Sequence, residues 1–189
     1  MNKNISTNAV ILACCKWRKD ELANYWERPK IRIPKSKSEI IWDIIGYSSY
    51  FGSIILLLVV WGMLPDQVPG HYNAVGEVDR WGSKWELLIL PLVGAFILIL
   101  MTVLEKFPEA HNYPGRLNES NAEQFYLHSR KLVNQLKNIC LVIFSLIELE
   151  SVSIALGWSG GFGVWFLPVA IIGTFIPMII GILKQRRIK

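Results

Sequence analysis

Only three cysteines, Cys14, Cys15 and Cys140, occur among the 189 residues. An adjacent pair plus one thiol at the start of an apolar block makes no disulfide framework, so all three are read as reduced. No Cys–His cluster has zinc-ligand spacing, and no metal or other cofactor is expected. A Ser–His–Asp set, an HExxH helix and a phosphate-binding loop are also missing, so an enzyme is not the expected class. No internal repeat or low-complexity tract is present. Charge is absent from Ile44 to Leu64, which leaves that stretch without the surface of a soluble domain.

What is present are long apolar blocks. The chain is 52% hydrophobic with mean hydropathy +0.33, and its apolar residues gather into four blocks separated by polar connectors. Spans are read at 44–64, 87–104, 139–157 and 162–183. Twenty-one residues at ~1.5 Å rise cover about 31 Å, a hydrocarbon thickness. The expectation is an all-α membrane protein: a four-transmembrane-helix bundle with a short turn-rich extracellular loop and a cytoplasmic extension of the third span. Domains follow as an N-terminal segment 1–43, the membrane domain 44–183 and a basic tail 184–189. Before Arg28-Pro29, Leu12, Trp17, Leu22 and Trp26 supply apolar contacts for an interfacial helix. The run Ala9–Cys15 is too short and too closely followed by Lys16 and Arg18 for a lipid-anchored start.

The net charge of +5 is confined to the flanks of these blocks, which suits anionic lipid headgroups better than nucleic acid. Eighteen Lys and Arg fall on one set of alternating sides and two, Arg80 and Lys84, on the other. The positive-inside rule then places both termini and connector 105–138 in the cytoplasm. Ser36–Glu39, Ser83–Glu86 and Ser120–Glu123 each fit a capping box ahead of an apolar block. From the third box an apolar stripe (Ala122, Phe125, Tyr126, Ser129, Leu132, Val133, Leu136, Ile139, Cys140) runs into the third span. Arg130, Lys131 and Lys137 lie off it.

The connector after the first span is punctuated by Pro65, Pro69, Gly76 and Gly82, which predicts a compact turn-rich loop or small hairpin. His71, Asn73, Asp79 and Lys84 are its chemical groups. His71 and Asn73 fall on one side if the segment is extended. A His71–Asp79 metal site or acid–base pair is one reading; two ligands are too few, and fastening the loop by hydrogen bonds is the preferred one. In the third span Glu148 and Glu150 lie deep and on nearly opposite faces, too far apart in direction to form a dyad. A protonated interhelical hydrogen bond to Tyr50 or Ser49/Ser53, and Glu150 near the outer interface, are preferred over ion or proton translocation. Ser49, Ser53, Gly173, Pro177 and Gly181 suit close helix packing or bending.

The string Pro65-x-x-x-Pro69-x-His71-x-Asn73-x-x-Gly76-x-x-Asp79-x-x-Gly82-Ser83-Lys84 resembles the signature of an uncharacterised bacterial membrane domain that also forms the front half of SdpI-type bacteriocin-immunity proteins. His111-Asn112-Tyr113-Pro114 with Asn118–Tyr126, including Asn121, and Ala155–Gly157 with Trp165–Pro168 extend the resemblance over roughly 44–183. It implies a multi-pass protein of the bacterial cytoplasmic membrane. In SdpI-type proteins a further immunity region follows this domain. The function expected is a non-enzymatic accessory or immunity-like module whose outer loop meets an envelope component, a peptide toxin or a separately encoded membrane partner, with the lipid bilayer as its surroundings. An ion-coupled protein using Glu148 is the alternative, and a membrane-embedded enzyme the third.

Overall fold

Four helices account for most of the structure, a computed structural model that describes residues 28–188. Residues 1–27, with the interfacial helix expected there, Cys14 and Cys15, lie outside the described residues. Helix α1 spans Lys37–Val60 and continues as a 3₁₀ turn, Trp61–Met63. An antiparallel hairpin follows, β1 (Gln67–Tyr72) and β2 (Val78–Ser83). The 3₁₀ turn Lys84–Leu88 leads into α2 (Ile89–Lys106), and a further turn at Pro108–Ala110 precedes α3 (Ala122–Ala155) and α4 (Phe166–Arg186). All four helices are long and apolar enough to cross a membrane. The hairpin is the one departure from an all-α chain among the described residues.

Local chemistry explains most boundaries. Ser36 caps α1 with the reciprocal box read from the sequence: its backbone N–H donates to Glu39 Oε2 at 2.7 Å, and its side chain takes the Glu39 backbone N–H. The box expected at Ser120 does not form. Asn121 is the residue before α3, and its Oδ1 accepts from Asn118 N at 2.9 Å while Ser120 Oγ donates to Asn118 Oδ1. The loop's own hydrogen bonds have taken the groups that would have made the box. At its other end α3 closes with Gly157 at φ 73°, Gly157 N bonding Ile154 O and Trp158 N bonding Ser153 O. That is a Schellman close, and it ends the third helix two residues before the predicted 157. Gly163, at φ 68°, likewise delays α4 from 162 to Phe166.

Helix α3 is the hub. At 34 residues it is about 51 Å long, some 20 Å more than a hydrocarbon core needs. Helices α1, α2 and α4 pack along it and β1 rests on it, whereas α1 and α4 scarcely meet. The outward faces are apolar: Leu58, Val59, Leu92, Phe96, Ile99 and Val169 are all exposed. Such a surface suits lipid and not water. A small apolar core sits at the hairpin end, where Leu57, Val60, Leu64, Val68, Leu87 and Val152 bury one another.

The buried face of α3 corrects the sequence reading. Ala122, Phe125, Tyr126 and Ile139 of the expected stripe are buried, but so are Arg130, Asn134, Lys137, Asn138, Ser145, Glu148 and Ser151. Arg130 and Lys137 therefore belong to the interior. In a lipid-facing bundle the polar side of a helix turns toward its neighbours, because hydrocarbon offers a buried charge no partner.

Candidate functional site

The hairpin owes its shape to the residues that stood out in the sequence. Asn73 Oδ1 accepts from Val75 N and Glu77 N, both at 3.0 Å, and its backbone N–H reaches Glu77 O at 2.9 Å. Asn73 thereby closes the turn in place of a backbone partner. Gly76 follows at φ 82°, and a Cβ there would lie 2.6 Å from Gly163 O. The tip is thus seated against the loop before α4. Gly76→Ala is expected to cost about 1–2 kcal/mol for the left-handed backbone alone and to lift the tip off Gly163. A thermal melt in detergent checks this; an unchanged melting temperature would contradict the seated tip.

Arg80 supplies the second fastening. Its Nη2 donates to Gly70 O at 2.7 Å and to Glu86 Oε2 at 2.8 Å, tying both strands to the turn ahead of α2. A Cβ on Gly70 would meet the guanidinium at 2.9 Å, and one on Gly82 would collide with the Glu86 carboxylate, so both glycines make room for this pair. Glu86 still takes a backbone hydrogen bond from Ser83, the return half of the predicted box, and Ser83 Oγ caps the turn by accepting from Trp85 N at 3.5 Å. Pro69 and Val68 are buried, and Pro65 is exposed. Lys84 Nζ lies 5.8 Å over the Trp61 ring and 3.9 Å from Asp66.

His71 and Asp79 do meet, Nδ1 to Oδ1 at 2.6 Å, but with side chains 65% and 43% exposed. A pair so open to water contributes under about 1 kcal/mol, as does the Arg80–Glu86 pair at 54% and 32% exposure, and both share the fastening with the backbone bonds of Asn73. His71 and Asn73 also part: bulges on either side of His71 break the strand's alternation, and Asn73 enters the turn. No group of three metal-ligating side chains occurs among the described residues.

Between the hairpin and the ends of α2, α3 and α4 lies a cleft of about 590 Å³. Tyr72 forms one wall, its hydroxyl 2.7 Å from Ser151 Oγ and its ring packed edge-on to Phe162. Burial pushes the Tyr72 phenol above its ordinary pKa, with the Ser151 bond working the other way, so it remains neutral. Phe166 and Leu167 face it. The cleft is largely apolar, with few polar groups at the rim.

Below this, α3 carries the intramembrane acids. Glu148 is buried and accepts from Ser53 Oγ at 2.7 Å, the partner region expected for it. Its other oxygen, Oε1, has no hydrogen-bond partner among the described residues. Glu150 points elsewhere and accepts from Ser159 Oγ beyond the helix end. Tyr50 donates to Pro91 O at 2.6 Å and packs against Gly94, where a Cβ would fall 2.6 Å from the ring.

Toward the end that holds the start of α1 and the finish of α4, a charged cluster fills the interior. Arg130 grips Glu39 through Nε and Nη2, at 2.7 and 3.1 Å, and donates to Ile33 O and Pro34 O. Lys137 lies 2.7 Å from Glu105 and 3.0 Å from Asp43. Asp43 Oδ1 also accepts from Asn134 and Asn138, and its Oδ2 from Lys35 at 2.5 Å. Burial disfavours the Lys35 ammonium, but Asp43 beside it outweighs this and holds its pKa above that of an ordinary lysine. Three carboxylates meet three cations. None of this cluster was a candidate in the sequence, though one signal was legible: Arg130, Asn134, Lys137 and Asn138 recur at helical spacing.

The second motif is a folded cover for the same end. Tyr113 is buried, donates to Pro108 O at 2.8 Å and packs on Phe125 and Tyr126. His111 joins Ser129 Oγ at 2.6 Å to Leu104 O at 2.9 Å, and Asn121 Nδ2 donates to Arg116 O. Asn112 and Pro114 are exposed. The arrangement braces the loop between α2 and α3.

Comparison with known proteins picks out the hairpin. Residues 50–95 match a family described as a domain of unknown function, DUF1648. That segment runs from Tyr50 through the hairpin to just past Gly94, so it holds both sides of the Tyr50–Gly94 contact. A protein of Archaeoglobus fulgidus, itself described as an uncharacterized protein, is 42% identical over 66 residues, or 31% of this chain and 36% of that protein. The aligned part is about a third of that relative's length. No solved structure matches the chain. Residues 50–95, from the last turns of α1 into α2, are thus similar to a domain of unknown function.

Proposed function

We propose that the chain is a non-enzymatic, multi-pass accessory module of the cytoplasmic membrane, akin to the SdpI-type immunity proteins, whose hairpin end receives an extended peptide or similar envelope component. The cleft under the hairpin carries this reading. Its volume falls in the range of ligand sites, its walls are apolar and aromatic, and its shape is held by Asn73, Gly76 and Arg80. Pro69 to Asn73 line it along the hairpin, a length that suits an extended peptide. Ala74→Trp would fill the mouth without touching the fastenings. In cells challenged with secreted peptide toxins, the full-length protein should raise survival and Ala74→Trp should remove the gain at an unchanged melting temperature. Protection that survives the filled cleft would sink the assignment.

The reading requires the hairpin outside and both termini inside, as the Lys/Arg asymmetry supports. With the three native cysteines replaced by serine, a cysteine at Glu77 should react with an impermeant maleimide on intact cells. One at Glu119 should react only after permeabilisation. The reverse pattern would place the cleft in the cytoplasm and remove any envelope ligand.

One observation favours a second reading, proton or ion movement: Glu148 is buried yet leaves Oε1 without a partner. Proteoliposomes with an entrapped pH dye test it. Flux that disappears in Glu148→Gln would establish a transporter, whereas equal leak in both leaves Ser53–Glu148 as an interhelical bond.

A further inference from the structure

Two cavities adjoin along the gap between α1 and α4, over the surface of α3. One, about 450 Å³, lies at the end where α1 begins and α4 finishes, and is lined by His128, Lys131 and Lys184. The other, about 480 Å³, is walled by apolar residues such as Ile139, Val142, Val169 and Gly173. Trp42, Gln135 and Pro177 line both, so the two form one groove. Its depth is fixed by contacts already in place. A Cβ on Gly181 would lie 2.8 Å from Leu132 Cδ1, and His128 Nε2 donates to Gly181 O at 2.8 Å, which pins α4 against α3 at the basic end.

The charges in the groove are unbalanced. Among the described residues neither Lys131 nor Lys184 has a carboxylate within ion-pair distance. Glu39, the carboxylate that lines the groove, is already held by Arg130 at 2.7 Å. The groove is therefore cationic at its mouth and apolar along its length. From Phe166 to Lys184 it follows about 27 Å of helix, more than the ~15 Å of one hydrocarbon leaflet.

We propose that this groove binds one anionic glycerophospholipid, with its phosphate against Lys131 and Lys184 and one acyl chain lying along Gly173. Ser38 and Gln135 add a hydroxyl and an amide at the headgroup level. Two cations without a carboxylate in ion-pair reach among the described residues select a phosphate-bearing headgroup of net negative charge over a zwitterionic one, and the slot below them selects a chain over a free ion. The groove meets the cleft under the hairpin at Phe166, which lines both, whereas Lys131 and Lys184 lie at its far end.

Native mass spectrometry of the full-length protein in detergent tests this, with phosphatidylglycerol, phosphatidylcholine and inorganic phosphate as the probes. Phosphatidylglycerol should be retained in preference to phosphatidylcholine, and Lys131→Gln and Lys184→Gln should each reduce that retention about fivefold. A Cβ at Gly173 meets nothing within 4 Å, so Gly173→Leu should fill the slot and expel the lipid while the melting temperature holds. Equal retention of the two lipids would overturn the proposal by showing an ordinary lipid annulus. Inorganic phosphate displacing phosphatidylglycerol outright would overturn it in favour of a free-anion site. Retention unaffected by all three substitutions would show that the lipid sits elsewhere.

Discussion

Lys137→Met is expected to lower the unfolding free energy of the detergent-solubilised protein by about 3–5 kcal/mol, the cost of breaking a buried ion pair from one side. The Lys137 side chain is fully buried, as nearly are Glu105 and Asp43, at 4% and 12% exposure. Removing the ammonium leaves two carboxylates close together with Lys35, itself half exposed, as the remaining counter-ion. The methionine fills most of the space, so the loss reports charge and not a cavity. Pairing the change with Glu105→Gln should recover part of the loss, because the second substitution removes one stranded charge. Thermal melts followed by tryptophan fluorescence give both numbers. A loss below about 1 kcal/mol, the range of an exposed pair, would mean that water reaches the cluster.

The second large effect is expected at Gly46. A Cβ there would collide with Asn138 Oδ1 and lie 2.8 Å from Asn138 Cβ. Helices α1 and α3 therefore touch backbone to side chain at this level, and Gly46→Leu must separate them. Overpacking of this kind costs about 1–3 kcal/mol. A displaced Asn138 would further leave Asp43 short of a donor, at about 1–3 kcal/mol. Gly52, on the same helix, has nothing within 4 Å of its Cβ position, so Gly52→Leu is the control and should leave the melting temperature where it was. Similar losses at both positions would indicate a general intolerance of α1 and not a close approach.

Much of the architecture was legible because hydrocarbon imposes one dominant constraint. Four apolar blocks of sufficient length became four helices, and the punctuation by Pro69, Gly76 and Gly82 became a hairpin. Helix ends were less legible where a neighbouring group competed for the cap, as Asn118 did for Ser120. The interior of α3 was misread for a different reason. The apolar stripe does turn inward, with Ala122, Phe125, Tyr126 and Ile139 buried, but the charged positions beside it are buried as well, and only three-dimensional pairing showed Arg130 and Lys137 facing Glu39, Asp43 and Glu105. In the hairpin, the candidate residues take unequal parts. Asn73 and Gly76 shape the turn, whereas His71 and Asp79 stand in solvent. Arg80, which no motif singled out, ties the strands to the turn that starts the next helix.

Because the cations that neutralise Glu39, Asp43 and Glu105 are carried mostly by α3, the order in which the chain leaves the ribosome matters. Helices α1 and α2 are synthesised first and bring their three acids to the bilayer before Arg130 and Lys137 exist. The third helix arrives with the opposite charges, and with Glu148, whose intramembrane burial alone costs roughly 2.5–3.5 kcal/mol on insertion scales. Each partner is thus a poor passenger by itself and a good one in company. Docking of α3 on α1 and α2 is then the step that pairs these charges, and a chain cut before α3 should leave its three acids without Arg130 and Lys137.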